Sequence, residues 1–216
     1  MNYHGNVTVG GVPDVRELAE LVITKVAVGP MDNNAYLLRC RYSDQQLLID
    51  AANEAPTLVR LVNGSLAGVV TTHRHGDHWQ ALGELVAATG AHTYAGRLDA
   101  EGIPVPTDTL VDDGDVIEVG QAKLRALHLV GHTPGSIALL YDDPKGHPHL
   151  FTGDCLFPGG PGRTTNPDDF ASLMDGIEGK VFDELPDETW VYPGHGNDTT
   201  LGDERPKLAE WRARGW

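Results

Sequence analysis

Thr71-Thr72-His73-Arg74-His75-Gly76-Asp77-His78 follows directly on the apolar run Leu66 to Val70. It gathers three imidazoles and a carboxylate in a chain that holds only 10 His among 216 residues. In an extended segment side chains alternate, so His73 and His75 point the same way and can share one divalent cation. Asp77 and His78 are adjacent and project elsewhere. Gly76, between the pairs, is expected to take a positive φ and turn the chain sharply before a helix over Trp79 to Thr89. The two pairs would then face neighbouring ions. A plainer role stands beside this one, with Asp77 as the N-cap of that helix.

Composition narrows the setting. The length suits one domain with a sizeable core. Lys plus Arg number 16 against 31 Asp plus Glu, a formal net charge of -15, which repels phosphate backbones and anionic membranes and argues against nucleic acid as a partner. The N-terminus MNYHGNVTVGGVPDVRELAE has no basic region followed by an apolar core, and no apolar run is long enough to cross a bilayer, so a cytoplasmic chain is expected. Cys40 and Cys155 are too few for a disulfide framework and sit in apolar contexts that suit buried free thiols.

Residues 1 to 20 mix Gly, Pro and charge and read as a lead-in with one short helical turn; 21 to 216 read as a single domain. LVITKVAV from Leu21, Ala35 to Arg41 and Gln46 to Ile49 predict an antiparallel meander. A helix over APTLVRLV, stopped at Gly64, leads to the strand Leu66 to Val70. Beyond the histidine loop come its helix, closed by Gly90, and a strand Ala91 to Ala95. After a Pro-rich connection, Thr109 to Gly120, Lys123 to Val130, Ile137 to Tyr141 and His149 to Thr152 predict a second antiparallel set. Asp168 to Val181 and Glu204 to Arg214 predict helices. Two sheets with helices outside both make an α/β (α+β) fold, an αββα sandwich of two mixed sheets flanked by helices, with the ligand loops at one edge.

Three later segments place a metal-competent residue at a strand end beside glycine: Gly131-His132-Thr133-Pro134-Gly135, Thr152-Gly153-Asp154 and Pro193-Gly194-His195-Gly196. Each is weak alone; with the first loop they supply seven N and O donors. That set resembles the metallo-β-lactamase superfamily, from about Val26 to the C-terminus. The resemblance implies its fold and a two-metal site in which His73, His75 and His132 bind one ion, Asp77, His78 and His195 the other, and Asp154 bridges them.

Within the superfamily, GHTPGS, FTGDCLF, GGPGRT and PGHG resemble glyoxalase II, hydroxyacylglutathione hydrolase, and especially its short single-domain relatives. A carboxylate at Asp154, where two-zinc β-lactamases usually carry Cys, argues against antibiotic hydrolysis. Trp79-Gln80 departs from the small apolar residue and Gly of many relatives and implies a different pocket wall. The chain also stops soon after His195, where longer glyoxalase II enzymes add a helical domain that holds glutathione, so that carrier is not expected.

The implied chemistry is hydrolysis of a small-molecule thioester, needing no side-chain nucleophile. Two divalent ions, zinc by the ligand set with iron or manganese also accepted, lower the pKa of bound water to about 7. The resulting hydroxide attacks the thioester carbonyl, with Asp77 and Asp154 the carboxylates assigned to catalysis. Asp50 resembles the family position that hydrogen-bonds behind the ligands. Arg163, in a glycine-rich loop, is the candidate to meet a substrate carboxylate. His4, His92, His128, His147 and His149 are read as lying outside the site. Three rivals remain: a persulfide dioxygenase, which resembles the chain at Gly162 to Thr164 and uses one iron on the equivalents of His73, His132 and Asp154; a lactonase; and a metal-binding domain without catalysis.

Overall fold

The computed structural model describes residues 3–215. Its first sheet has seven strands in sequence order: β1 (Asp14–Glu17), β2 (Leu21–Val28), β3 (Asn33–Cys40), β4 (Gln46–Ile49), β5 (Leu66–Thr71), β6 (His92–Gly96) and β7 (Thr109–Val111). Pairing is antiparallel through β4 and parallel from β4 to β7. Helices α1 (Ala55–Val62) and α2 (Leu82–Thr89) make the β4–β5 and β5–β6 crossovers that parallel pairing requires.

The second sheet contains β8 (Val116–Val119), β9 (Ala122–His128), β10 (Ile137–Asp142) and β11 (Pro148–Gly153). Between β11 and the rest of that sheet the chain forms a small ribbon, β12 (Leu156–Phe157) and β13 (Gly160–Pro161), and helix α3 (Pro167–Ile177). It then adds β14 (Trp190–Pro193) and β15 (Thr199–Thr200), and closes with α4 (Leu201–Glu204) and α5 (Leu208–Arg214). The spatial order is β15-β14-β11-β10-β9-β8, with β14 parallel to β11 and the other neighbours antiparallel.

Alternation along the strands sorts the apolar residues into layers. On β10, Ile137, Leu139 and Tyr141 meet Leu38, Leu47, Ile49 and Val70 between the sheets. Ala138 and Leu140 face the other way, joining Phe170, Leu173 and Trp211 beneath α3 and α5. Leu48 and Val69 likewise turn outward onto Leu58, Leu82 and Leu85 of α1 and α2. The result is the expected αββα sandwich of two mixed sheets. Each fully buried Leu or Ile contributes roughly 1.5–3 kcal/mol through apolar area removed from water.

Five expectations need correction. Residues 14–17 form strand β1 rather than a helical turn, because their alternating side chains let the backbone pair with the free edge of β2. Thr109–Val111 belongs to the first sheet, parallel to β6, and the chain changes sheets only at the Asp112–Asp115 turn. Helix α2 starts at Leu82, not Trp79: Trp79, at φ -138°, lies outside the helical range, and the Gln80 and Ala81 N–H groups donate to the carbonyls of Ala52 and Ala51. Gly76 does not adopt a positive φ. The chain turns there through a 3₁₀ turn, Gly76–His78, in which His78 N–H donates to His75 C=O at 3.0 Å. The C-terminal helix is also divided, by a 3₁₀ turn at Arg205–Lys207 containing Pro206, which has no N–H to donate.

Candidate metal centre

The loops after β5, β9, β11 and β14 converge at one edge of the sandwich, bringing together His73, His75, Asp77, His78, His132, Asp154 and His195. Three groups of donor atoms, each within 4.8 Å, result: His73, His75 and His132; Asp77, His78 and His195; and His73, His78 and Asp154. Asp154 lies between the first two. Its Oδ2 is 3.6 Å from His132 Nε2, 3.9 Å from His73 Nε2 and 3.5 Å from His195 Nε2, and its Oδ1 is 3.4 Å from His78 Nε2.

Neighbours behind the rings set which nitrogen faces inward. Asp50 Oδ2 accepts from both His78 Nδ1–H and the Thr72 hydroxyl, each at 2.8 Å. With its one proton so placed, Thr72 Oγ1 accepts from His73 Nδ1–H at 3.1 Å. His132 Nδ1–H donates to the Arg163 carbonyl at 2.7 Å, and His195 Nδ1–H to the Met31 carbonyl at 2.9 Å. The Nε2 atoms of these four rings therefore carry lone pairs pointing into one space: His73 and His132 face each other at 3.3 Å, as do His78 and His195. His75 instead turns Nδ1 inward, 3.1 Å from His73 Nε2.

Facing lone pairs are mutually repulsive unless a cation lies among them, and Asp154 Oδ1 is buried with no hydrogen-bond partner. Imidazole nitrogens with carboxylate oxygens fit divalent transition ions. The electrostatics agree. Burial opposes charge on His195, yet Asp154 and Asp77 raise it to about 10. Burial likewise opposes charge on His78, and Asp50 and Asp154 lift it well above its usual value. Asp77 is lowered by its hydrogen bond to His195, and Asp154 is held low by His195 and His78 against the effect of burial. A field that holds protons on these nitrogens holds a divalent ion more strongly, with proton release. Burial and its imidazole neighbours keep His73 low and neutral.

Close packing of the loops depends on glycine. A Cβ on Gly194 would stand 2.2 Å from Asp154 Oδ1 and 2.7 Å from His78 Cε1, so any side chain there would fill the donor space. Asp50, at φ 60°, reaches Thr72 N–H with Oδ1 and is buried. Trp79 braces the histidine loop by donating from Nε1 to the Arg74 carbonyl at 2.8 Å. Arg163 is exposed and lines a cavity of about 350 Å³ with His132, Asp154, Phe157 and Pro158. Its carbonyl orients His132, while its side chain stands at the rim.

Three contributors have no local motif. Asp99, wholly buried in the Pro-rich connection, accepts from Arg74 N–H at 2.9 Å, from the Thr133 hydroxyl at 2.5 Å and from Gly135 N–H at 2.9 Å, joining the His73–His75 loop to the His132 loop. Lys25 donates to the Gly196 and Gly5 carbonyls at 2.7 Å and to Asp198 at 2.6 Å, pinning the His195 loop. Asn33 donates to Asp77 Oδ2 at 2.8 Å. Hydropathy around Lys25 marks only a strand; the nearest signal is that a lysine interrupts an apolar run.

The family model for the metallo-beta-lactamase superfamily matches residues 28–195. The chain belongs to that superfamily, whose members are metal-dependent hydrolases. It is 32% identical over 203 residues to an uncharacterised protein of Aquifex aeolicus, covering 86% of this chain and 94% of that one. It is 36% identical to a hydroxyacylglutathione hydrolase of Fuscovulum blasticum, covering 76% of this chain but 62% of that enzyme's length. Among solved structures, ETHE1 from Myxococcus xanthus superposes with a TM-score of 0.76 at 30% identity, covering 87% of this chain and 84% of that one. A protein solved in a di-iron-bound form, TTHA1623, gives 0.67 at 33% identity, covering 84% and 96%. Among the described residues no helix is long and apolar enough to cross a membrane, and both cysteines are free and buried.

Proposed function

We propose that this chain hydrolyses a small-molecule thioester, as a binuclear hydrolase of the hydroxyacylglutathione hydrolase kind. One observation carries the reading: seven donors converge as two triads that share Asp154. His73, His75 and His132 would hold one divalent ion, Asp77, His78 and His195 the other, with Asp154 between them; zinc suits the donors, as do iron and manganese. When bound, such ions act as Lewis acids toward a carbonyl and make hydroxide available near neutral pH.

The chain's own residues supply orientation. Asp50, the Arg163 carbonyl and the Met31 carbonyl each hold an Nδ1 proton so that Nε2 remains a donor to metal. Asp154, whose Oδ2 faces three imidazoles, orients the attacking water and accepts its proton at a carboxylate oxygen. The Phe157 and Pro158 walls exclude bulk water from the acyl group, and the Arg163 guanidinium at the rim meets a substrate carboxylate. The names of the hydroxyacylglutathione hydrolases support the thioester class, and the carboxylate at Asp154 supports thioester rather than β-lactam hydrolysis.

A panel of acyl thioesters and lactones assayed with His75→Ala alongside the parent tests this. Thioester hydrolysis is expected in the parent, falling at least about 100-fold in the variant with the far-UV spectrum retained. Full activity in the variant would contradict the reading. One bound iron with sulfide-dependent oxygen uptake would replace it by the dioxygenase reading that the ETHE1 likeness supports.

A further inference from the structure

Asn33 opens β3 with only 2% of its surface exposed. Its side-chain amide donates to Asp77 Oδ2, the oxygen that faces His195 Nε2 at 3.2 Å and His78 Nε2 at 3.4 Å. Its backbone forms an isolated antiparallel bridge with His195. The next residue extends the grip: Asn34 N–H donates to the Gly194 carbonyl at 2.7 Å, and its side-chain amide to the Pro193 and Gly196 carbonyls at 2.9 Å each. One strand end therefore holds Asp77 by a side chain and His195 by its flanking backbone, with the same Asn33 amide also 3.4 Å from His195 Nε2.

The other triad is held differently. His73 rests on Thr72, His132 on the Arg163 carbonyl, and their two loops are joined through Asp99. None of these contacts involves Asn33. A carboxylate's terminal torsion is broad and roughly two-fold, so Asp77, half-buried, has little else to keep one chosen oxygen aimed at His78 and His195.

From this division we infer that Asn33 is a positioning residue that makes the site binuclear: it fixes Asp77 and the His195 loop as one unit for the second ion. The inference rests on the two-ion reading and deepens it. Removing the amide frees Asp77 while leaving the His73–His75–His132 triad on its own supports. Loss of such an outer hydrogen bond typically weakens metal affinity about 10–100-fold.

The test is titration of the metal-stripped protein with Co²⁺, followed by visible absorption and by competition with a chelator, for the parent and Asn33→Leu, which keeps the branched outline and removes the donor. The parent is expected to take up two equivalents. In the variant the first should bind within about twofold of the parent and the second about 10–100-fold more weakly. Two equivalents at parental affinity in the variant would overturn the inference and leave the two-ion reading intact. Both equivalents weakened together would also overturn it, since that is the mark of a general structural role. A parent that binds a single equivalent would overturn the reading and the inference with it. Asn33→Ala, with a smaller side chain, is read by the same criteria where Asn33→Leu does not retain the parental far-UV spectrum.

Discussion

Asp50 holds a left-handed backbone that costs a non-glycine residue about 1 kcal/mol, and its carboxylate accepts from Thr72 N–H, the Thr72 hydroxyl and His78 Nδ1–H. In Asp50→Asn one of those acceptors becomes an NH₂ group, so His78 can no longer be kept as the Nδ1–H tautomer. Metal affinity should fall about 10–100-fold, measured by chelator competition, with the fold retained; unchanged affinity would refute the role. The seven side chains that converge at this edge could be picked out in the sequence because each stands in a short local pattern: alternation at His73 and His75, or a glycine beside a strand end at His132, Asp154 and His195. Asp99, Asn33 and Lys25 were not legible, because their partners are distant in sequence and nothing nearby distinguishes them from ordinary loop or strand residues. Gly76 misled for a related reason: glycine permits a positive φ but does not require one, and a 3₁₀ turn served instead.

Strands β2, β11 and β14 carry two features that titration and mutation can reach. Lys25 on β2 and Asp198 form a wholly buried ion pair that also takes hydrogen bonds from Tyr3 and Trp190. Lys25→Met leaves an uncompensated carboxylate inside the protein and should destabilise it by about 3–5 kcal/mol in urea unfolding. Adding Asp198→Leu should restore much of that; no recovery would show that the pair's polar partners, not its charge, matter. On β11, burial lowers His149 to about 3, and its ring pairs with the Tyr192 hydroxyl of β14 at 2.9 Å. The folded value lies below the unfolded 6.5, so the neutral form is the stable one. Stability is full above about pH 6.5 and should decline by up to about 1.4 kcal/mol per unit as pH falls toward 3. Urea midpoints of the parent and His149→Leu across that window should diverge by this contribution, and parallel curves would contradict it. Element types were readable from periodicity, whereas helix starts were not: Trp79 takes a non-helical φ of -138°, and the two residues after it are tied by their N–H groups to the β4–α1 connection, so α2 begins only at Leu82.

At the scale of the molecule, the layered sandwich was readable because the strands alternate apolar residues between two faces, and both faces of both sheets are covered. The sheet boundary was less so, since β7 is three residues long and its neighbour is set by the crossover rather than by its own pattern. The sandwich matters to function because it brings loops from four strands, two sheets and both halves of the chain to one edge. A net charge of -15 adds to the attraction for cations there and discourages anionic ligands, which makes an exposed arginine beside the cavity a specific feature. The central claim is that this edge clasps two ions. Diffraction from crystals of the metal-loaded protein, collected on both sides of the metal's absorption edge, tests it most directly. Two anomalous peaks are expected, one among His73, His75 and His132, the other among Asp77, His78 and His195, with Asp154 reaching both; a single peak, or ions bound away from these side chains, would contradict it.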